Sequence, residues 1–157
     1  MLTRESEKLT PDDIRDVESR LGIVIPGEVR DHYLQHNGGI PDPNCWMMDN
    51  SVWHCVQMFL PIKYGRRTLE SVYKQGAEKG YLTKNLIPFG NDHGGNYFCF
   101  DETGRVYFCA MDVWSRELSD EANRKNATKL LAPSFNEFVA GLVPDPEKEE
   151  DEEDNDQ

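Results

Sequence analysis

Apolar residues recur at helical spacing near the start of the chain. Ile14, Val17 and Leu21 mark one buried stripe between Thr10-Pro11-Asp12-Asp13 and Gly22. Thr10 has capping chemistry, Pro11 suits the first helical position, and the two acids favour the positive end of the helix dipole. A second helix is predicted from Pro26, with Val29, Tyr33 and Leu34 inside. Asn37-Gly38-Gly39 ends it, because Asn and Gly tolerate the left-handed conformation of a C-terminal cap. Residues 40–50 read as a loop. Val52 to Leu60 reads as a strand with Trp53 in the core, and Thr68 to Lys79 as a helix with Leu69, Val72 and Tyr73 inward.

Further along, the period changes to two. Leu86-Ile87-Pro88-Phe89 is a short strand that runs into the turn Gly90-Asn91-Asp92-His93-Gly94-Gly95. Two strands, 96–101 and 105–112, form a hairpin through Glu102-Thr103-Gly104, with Gly104 supplying the positive φ. Phe98, Phe100, Val106 and Phe108 are assigned to the core face. Tyr97, Cys99, Tyr107 and Cys109 lie opposite, and a one-residue slip would exchange the two sets. Residues 113–130 are polar and read as loop with some helix. Ser134 and Glu137 then frame a capping box, followed by Phe135, Phe138, Val139 and Leu142 on one helical face, and Pro144 ends that helix.

Charge alters this picture. The chain has 157 residues, enough for one domain with a real core, and 29 acids oppose 17 bases for a net charge of −12. That balance disfavours nucleic acid and anionic membrane surfaces and favours a basic protein partner. From Asp145 onward, however, nine acids face one lysine, so eight of the twelve surplus charges lie there. Such a tail buries too little apolar area to fold and is expected to be disordered over residues 145–157. It either mimics nucleic acid in a basic cleft or serves solubility. Residues 1–9 are expected to fray, leaving a domain over 10–144.

Candidate chemistry is sparse. Cys45, Cys55, Cys99 and Cys109 have no CxxC spacing, and the first residues have no apolar stretch resembling a signal peptide. The expectation is a cytoplasmic protein with reduced thiols. His54 and Cys55 are neighbours on a strand and point to opposite faces, so they make no nucleophile–base pair. His32 and His36 share a helix face but lack the HExxH pattern, and read as surface residues. The turn at residues 90–96 lacks GxxxxGK[ST] and reads as a structural turn. No catalytic residue, cofactor or metal is expected. Trp46 and Trp114 fall in predicted loops near Asp42, Asp49 and Asp112, and serve either as lids over the core or as anchors for a basic partner. With Asp92, Asp101 and Glu102 they form the candidate partner-binding set.

Three separated segments together resemble one family. They are Leu21-Gly22-Ile23-Val24-Ile25-Pro26 with Tyr33-Leu34 and Asn37-Gly38-Gly39, then Ile87 through Asp101 with its Gly94-Gly95 pair and Gly104-Arg105-Val106-Tyr107-Phe108, and last Leu131 through Phe138. In this order the chain is similar to the SUKH superfamily, the Smi/Knr type, over roughly residues 10–143. The resemblance implies an α+β fold, a mostly antiparallel sheet with helices packed against it. In the bacterial immunity-protein branch, members bind and neutralise polymorphic toxins, often nucleases, in contact-dependent or type VI competition. The partner would be a basic toxin domain encoded nearby. The alternative is a Smi/Knr-like regulatory scaffold that acts without a toxin. The structural motif residues are Pro26, Asn37, Gly38, Gly39, Gly94, Gly95, Gly104, Ser134 and Glu137. Residues 109–112 depart from the aromatic–Asp–His pattern common in the family.

Overall fold

The hairpin read from residues 96–112 lies at the centre of a five-stranded antiparallel sheet in the computed structural model, which describes residues 1–49, 52–82 and 85–147. The elements in order are β1 (Leu2–Thr3), α1 (Pro11–Leu21), α2 (Gly27–Gln35), β2 (Ile40–Pro41), β3 (Cys45–Asp49), β4 (Val52–Cys55) and β5 (Met58–Phe59). They continue as α3 (Leu69–Lys79), β6 (Ile87–Asn91), β7 (Tyr97–Phe100), β8 (Val106–Cys109), α4 (Asp120–Ala127), β9 (Thr128–Ala132) and α5 (Phe135–Ala140). The main sheet runs β5-β6-β7-β8-β9, and β1–β2 and β3–β4 form separate two-stranded ribbons. The architecture is the expected α+β.

The pairing Phe98↔Phe108 and Phe100↔Val106 places those four residues on one face, as their alternation predicts. That face carries the main core. Phe98, Phe100 and Val106 are fully buried with Ile14 and Val17 of α1, Val29 and Tyr33 of α2, and Phe135 and Phe138 of α5. Aromatic rings dominate this core, and Phe89 meets Phe135 edge-on with centroids 5.0 Å apart. The opposite face is also covered. Cys99 and Cys109 are buried there with Leu82, Leu86, Trp114 and Ala127 in a second, smaller cluster. The polar stretch 113–130 supplies this cover through Trp114 and α4.

Capping chemistry sets the helix ends. Thr10 accepts from the Asp13 amide while the Asp13 carboxylate accepts from the Thr10 amide. Thr68 and Ser71 make the same reciprocal pair at α3. Ser134 accepts from the Glu137 amide at 3.2 Å, but among the described residues Glu137 makes no return bond, so the predicted box is half formed.

Several expectations are corrected. Residues 1–9 do not fray: β1 pairs with β2, the Ser6 amide donates to the Asn37 carbonyl, and Leu9 is buried. Residues 40–49, read as a loop, hold β2 and β3. The strand read over Val52–Leu60 is broken, β4 pairing with β3 and β5 with β6. The Val56 amide donates to the Asn44 carbonyl and carries the β3–β4 register one pair further, after which the Gln57 amide donates to the Asn91 carbonyl and the chain passes to β6. Trp53 is half-buried in the ribbon opposite Met47 rather than in the core. Cys45 and Cys55 form a disulfide rather than two thiols. Asn37-Gly38-Gly39 is not the cap of α2, which ends at an extended His36. The acidic tail lies almost wholly outside the described residues.

Candidate partner-binding surface

The eight candidate residues do not form one patch. Asp42 is exposed beside β2, and its carbonyl accepts from the Met1 ammonium group. Trp46 faces inward from β3, its ring 5.4 Å from that of Phe138 and packed against Gly141. The side chain of Asp49 lies outside the described residues. Trp114 is buried, and its indole N–H donates to the Gly80 carbonyl at 3.2 Å. It is a core residue of the second face, not an exposed anchor.

Two of the acids hold turns. Asp92 accepts from the amides of Gly94 and Asn96 and from the Asn96 side chain, at 2.8–3.0 Å. Its carboxylate fills the place an anion would need, so the turn at 90–96 is structural. Asp101 is buried at the hairpin tip and accepts from the Thr103 amide and hydroxyl, the Arg105 amide and the Tyr107 hydroxyl. Burial pushes its pKa up, but these bonds outweigh burial and hold the carboxyl below the usual range. Gly104 completes this tip at φ 88°. Both carboxylates are engaged in holding their own turns. Glu102 and Asp112 are exposed at opposite ends of the sheet, Glu102 edging a 620 Å³ groove between Leu21, Val24, Tyr73 and Ile87.

The surface that does combine exposure, charge and apolar contact is the segment from Asp112 to Glu121. Val113 and Leu118 are 47% and 45% exposed. Around them Asp112, Glu117, Asp120 and Glu121 are exposed, with Arg116 the one base. The segment is built on a fixed base. Asn123 is buried, accepting from the Ser115 amide and donating to the Ser115 and Leu118 carbonyls. Trp114 anchors it beneath, and Ser119 caps α4 through the Ala122 amide. Two exposed apolar side chains in an acidic segment on a hydrogen-bonded support suit a basic partner, because little ordering entropy is lost on contact. Of these exposed residues only Asp112 belongs to the candidate set that the sequence predicts. The available signal was a pair of isolated apolar residues in an otherwise polar run.

The other candidate chemistry is structural. His32 is wedged against Phe59 and Phe135, with ring centroids 6.0 and 5.1 Å away, and is not the surface residue expected. His36 pairs through Nδ1 with Glu5 at 2.7 Å. Cys99 and Cys109 sit 3.5 Å apart, fully buried, and burial first, then the contact with Cys109, pushes the Cys99 thiol up and away from reactivity. His54 stacks on Phe108 at 4.0 Å, while its neighbour Cys55 is committed to the disulfide. No helix among the described residues is long and apolar enough to cross a membrane.

The order and spacing of the motifs agree with the comparison to known families. The model of the SMI1 / KNR4 family (SUKH-1) matches residues 8–141, and the chain belongs to that family. Among relatives, it is 24% identical to the SPbeta prophage-derived uncharacterized protein YokK of Bacillus subtilis (strain 168), over 92% of this chain and 80% of that protein. A crystal structure of a protein from Pseudomonas syringae pv. tomato is similar at 20% identity and a TM-score of 0.48, covering 76% of this chain and 77% of that one.

Proposed function

We propose that this chain is an immunity protein that binds a cognate polymorphic toxin in the cytoplasm of the producing cell and neutralises it without catalysis. Inhibition is steric and electrostatic: the acidic segment 112–121 covers a basic substrate cleft, and Val113 and Leu118 seat in apolar hollows beside it. The observation that carries this reading is that segment, with its exposed apolar pair among four acids. Membership in the family and a relative derived from a prophage support it. Asp42, Trp46, Asp49 and Glu102 are left outside the proposed contact, and Asp92, Asp101 and Trp114 act by shaping the fold.

The test is co-expression and co-purification with the product of the adjacent gene. That product is expected to be toxic alone, harmless with this chain, and held in a stable complex. Leu118→Arg is expected to weaken the complex at least about tenfold, since it places a bulky cation in an apolar contact facing a basic surface. Asp120→Lys with Glu121→Lys is expected to slow association several-fold at low salt and little at high salt. A neighbour that is harmless alone, or that fails to associate, removes the immunity reading. Stable association without toxicity points to the regulatory scaffold instead.

A further inference from the structure

The ribbon pairing sets Cys45 directly opposite Cys55, with Cα atoms 4.0 Å apart. A third donor is brought to the same place. Cys45 exchanges both backbone hydrogen bonds with Val143, at 3.0 and 2.7 Å, which ties down the chain two residues before Asp145. The Asp145 carboxylate and the two sulfurs lie within 4.8 Å of one another. Cys45 is fully buried, and Cys55 and Asp145 are half-buried. Among the described residues, no other three His, Cys, Asp or Glu side chains converge this closely. The donors come from three separate segments, so their meeting is a product of the fold and not of local spacing.

With the sulfurs bonded to each other, this place is a clasp. Opening the disulfide takes two electrons and two protons. A dithiol supplies both and leaves as its own disulfide, and Cys45 and Cys55 become thiols. In a reducing compartment that dithiol is the resident form. Two thiolates and a carboxylate are a ligand set suited to zinc, which takes sulfur and oxygen donors in a tetrahedral shell. Zn–S bonds of about 2.3 Å place two thiolate sulfurs about 3.8 Å apart around such an ion. Rotation about the χ1 torsions of two directly opposed residues reaches that spacing without moving the strands.

We propose that the reduced chain binds one zinc ion through Cys45, Cys55 and Asp145, with water as the fourth ligand. Binding displaces the two thiol protons to solvent, and the divalent ion meets two thiolates and one carboxylate. The ion then takes over the disulfide's task of joining β3 to β4, and through Asp145 it also holds the C-terminal segment to that ribbon. This site is independent of the proposed toxin contact and is tested without a toxin.

The whole 157-residue chain, reduced with a phosphine under anaerobic conditions, is titrated with Co²⁺ and then with Zn²⁺. The expected result is one equivalent of cobalt with tetrahedral d–d bands and sulfur-to-cobalt charge transfer, displaced by zinc. The oxidised chain is expected to bind none. Cys55→Ser is expected to lose the charge-transfer bands, and Asp145→Asn to weaken binding at least about tenfold, in the range typical of losing a metal-site partner. Cys99→Ser is expected to bind like the wild type. Far-UV circular dichroism checks that each variant is folded. The absence of cobalt bands in the reduced wild type overturns the proposal. So does an Asp145→Asn protein that binds as tightly as the wild type, or loss of the bands in Cys99→Ser with their retention in Cys55→Ser.

Discussion

Asn37→Ala is expected to destabilise the domain by about 3 kcal/mol and to lower its unfolding midpoint by roughly 10 °C. Asn37 is 2% exposed. Its side-chain N–H groups donate to the carbonyls of Glu7 and Ile62 at 2.8 and 2.9 Å, and its Oδ1 accepts from the Ile62 amide at 2.8 Å. One amide thus stitches the N-terminal segment to the stretch that follows β5. Truncation removes three hydrogen bonds worth about 1 kcal/mol each and leaves the buried Ile62 amide without its acceptor, while the Ile62 carbonyl keeps the Tyr64 amide as a donor. The two glycines beside it tighten the same knot. A Cβ on Gly38 would lie 2.9 Å from the Pro61 nitrogen, and one on Gly39 would lie 2.7 Å from the Thr3 carbonyl oxygen. Urea denaturation followed by circular dichroism measures the loss, with Asn126→Ala, at an exposed position of α4, as the control expected within about 0.5 kcal/mol of wild type. An Asn37→Ala protein within about 1 kcal/mol of wild type would sink this account.

The second large effect is acid lability centred on His32. Burial between aromatic rings lowers its pKa from 6.5 to about 4; nearby His36 lowers it further and Glu5 opposes. The folded state therefore holds the ring neutral where the unfolded chain takes up a proton. Stability is fully present above pH 6.5, falls as pH drops through the unfolded value, and levels off near the folded value of about 4. The full loss is at most about 3 kcal/mol, with a slope approaching about 1.4 kcal/mol per pH unit between pH 6 and 5. His32→Phe keeps a ring against Phe59 and Phe135 but has nothing to protonate. It is expected to show a much flatter stability profile from pH 7 to 5. Equal slopes for the two proteins in that window would refute the assignment.

The elements with strong local chemistry were legible in advance. Thr10-Pro11-Asp12-Asp13 starts a helix because cap, proline and acids all act within one turn. The hairpin register follows from alternation of Phe98, Phe100, Val106 and Phe108 against a tight turn at Gly104. The spaced motifs carried the family. Less was legible where the partner is distant. Asn37-Gly38-Gly39 has the composition of a helix stop, but its chemistry is directed at Ile62, Pro61 and Thr3. Val52 to Leu60 is one apolar run, yet its two halves answer to different partner strands.

The candidate surface shows the same division. Composition counts every acidic side chain as available for a partner, whereas Asp92 and Asp101 accept from turn amides. Trp114 stands in a polar stretch of sequence and lies buried beneath it. Its neighbours Val113 and Leu118 are the exposed pair because the Trp114 indole takes the inward position and Asn123 pins the loop around it.

Fold class, helix starts, the central hairpin and the family were thus settled by residue order alone, since each rests on interactions within a few residues or on a spaced pattern. The closure of the N-terminal segment, the neutral His32, the acidic surface of segment 112–121 and the meeting of Cys45, Cys55 and Asp145 were decided by the tertiary structure. Each depends on groups far apart in the chain whose burial, desolvation and contact exist only once the sheet and its two covered faces are assembled.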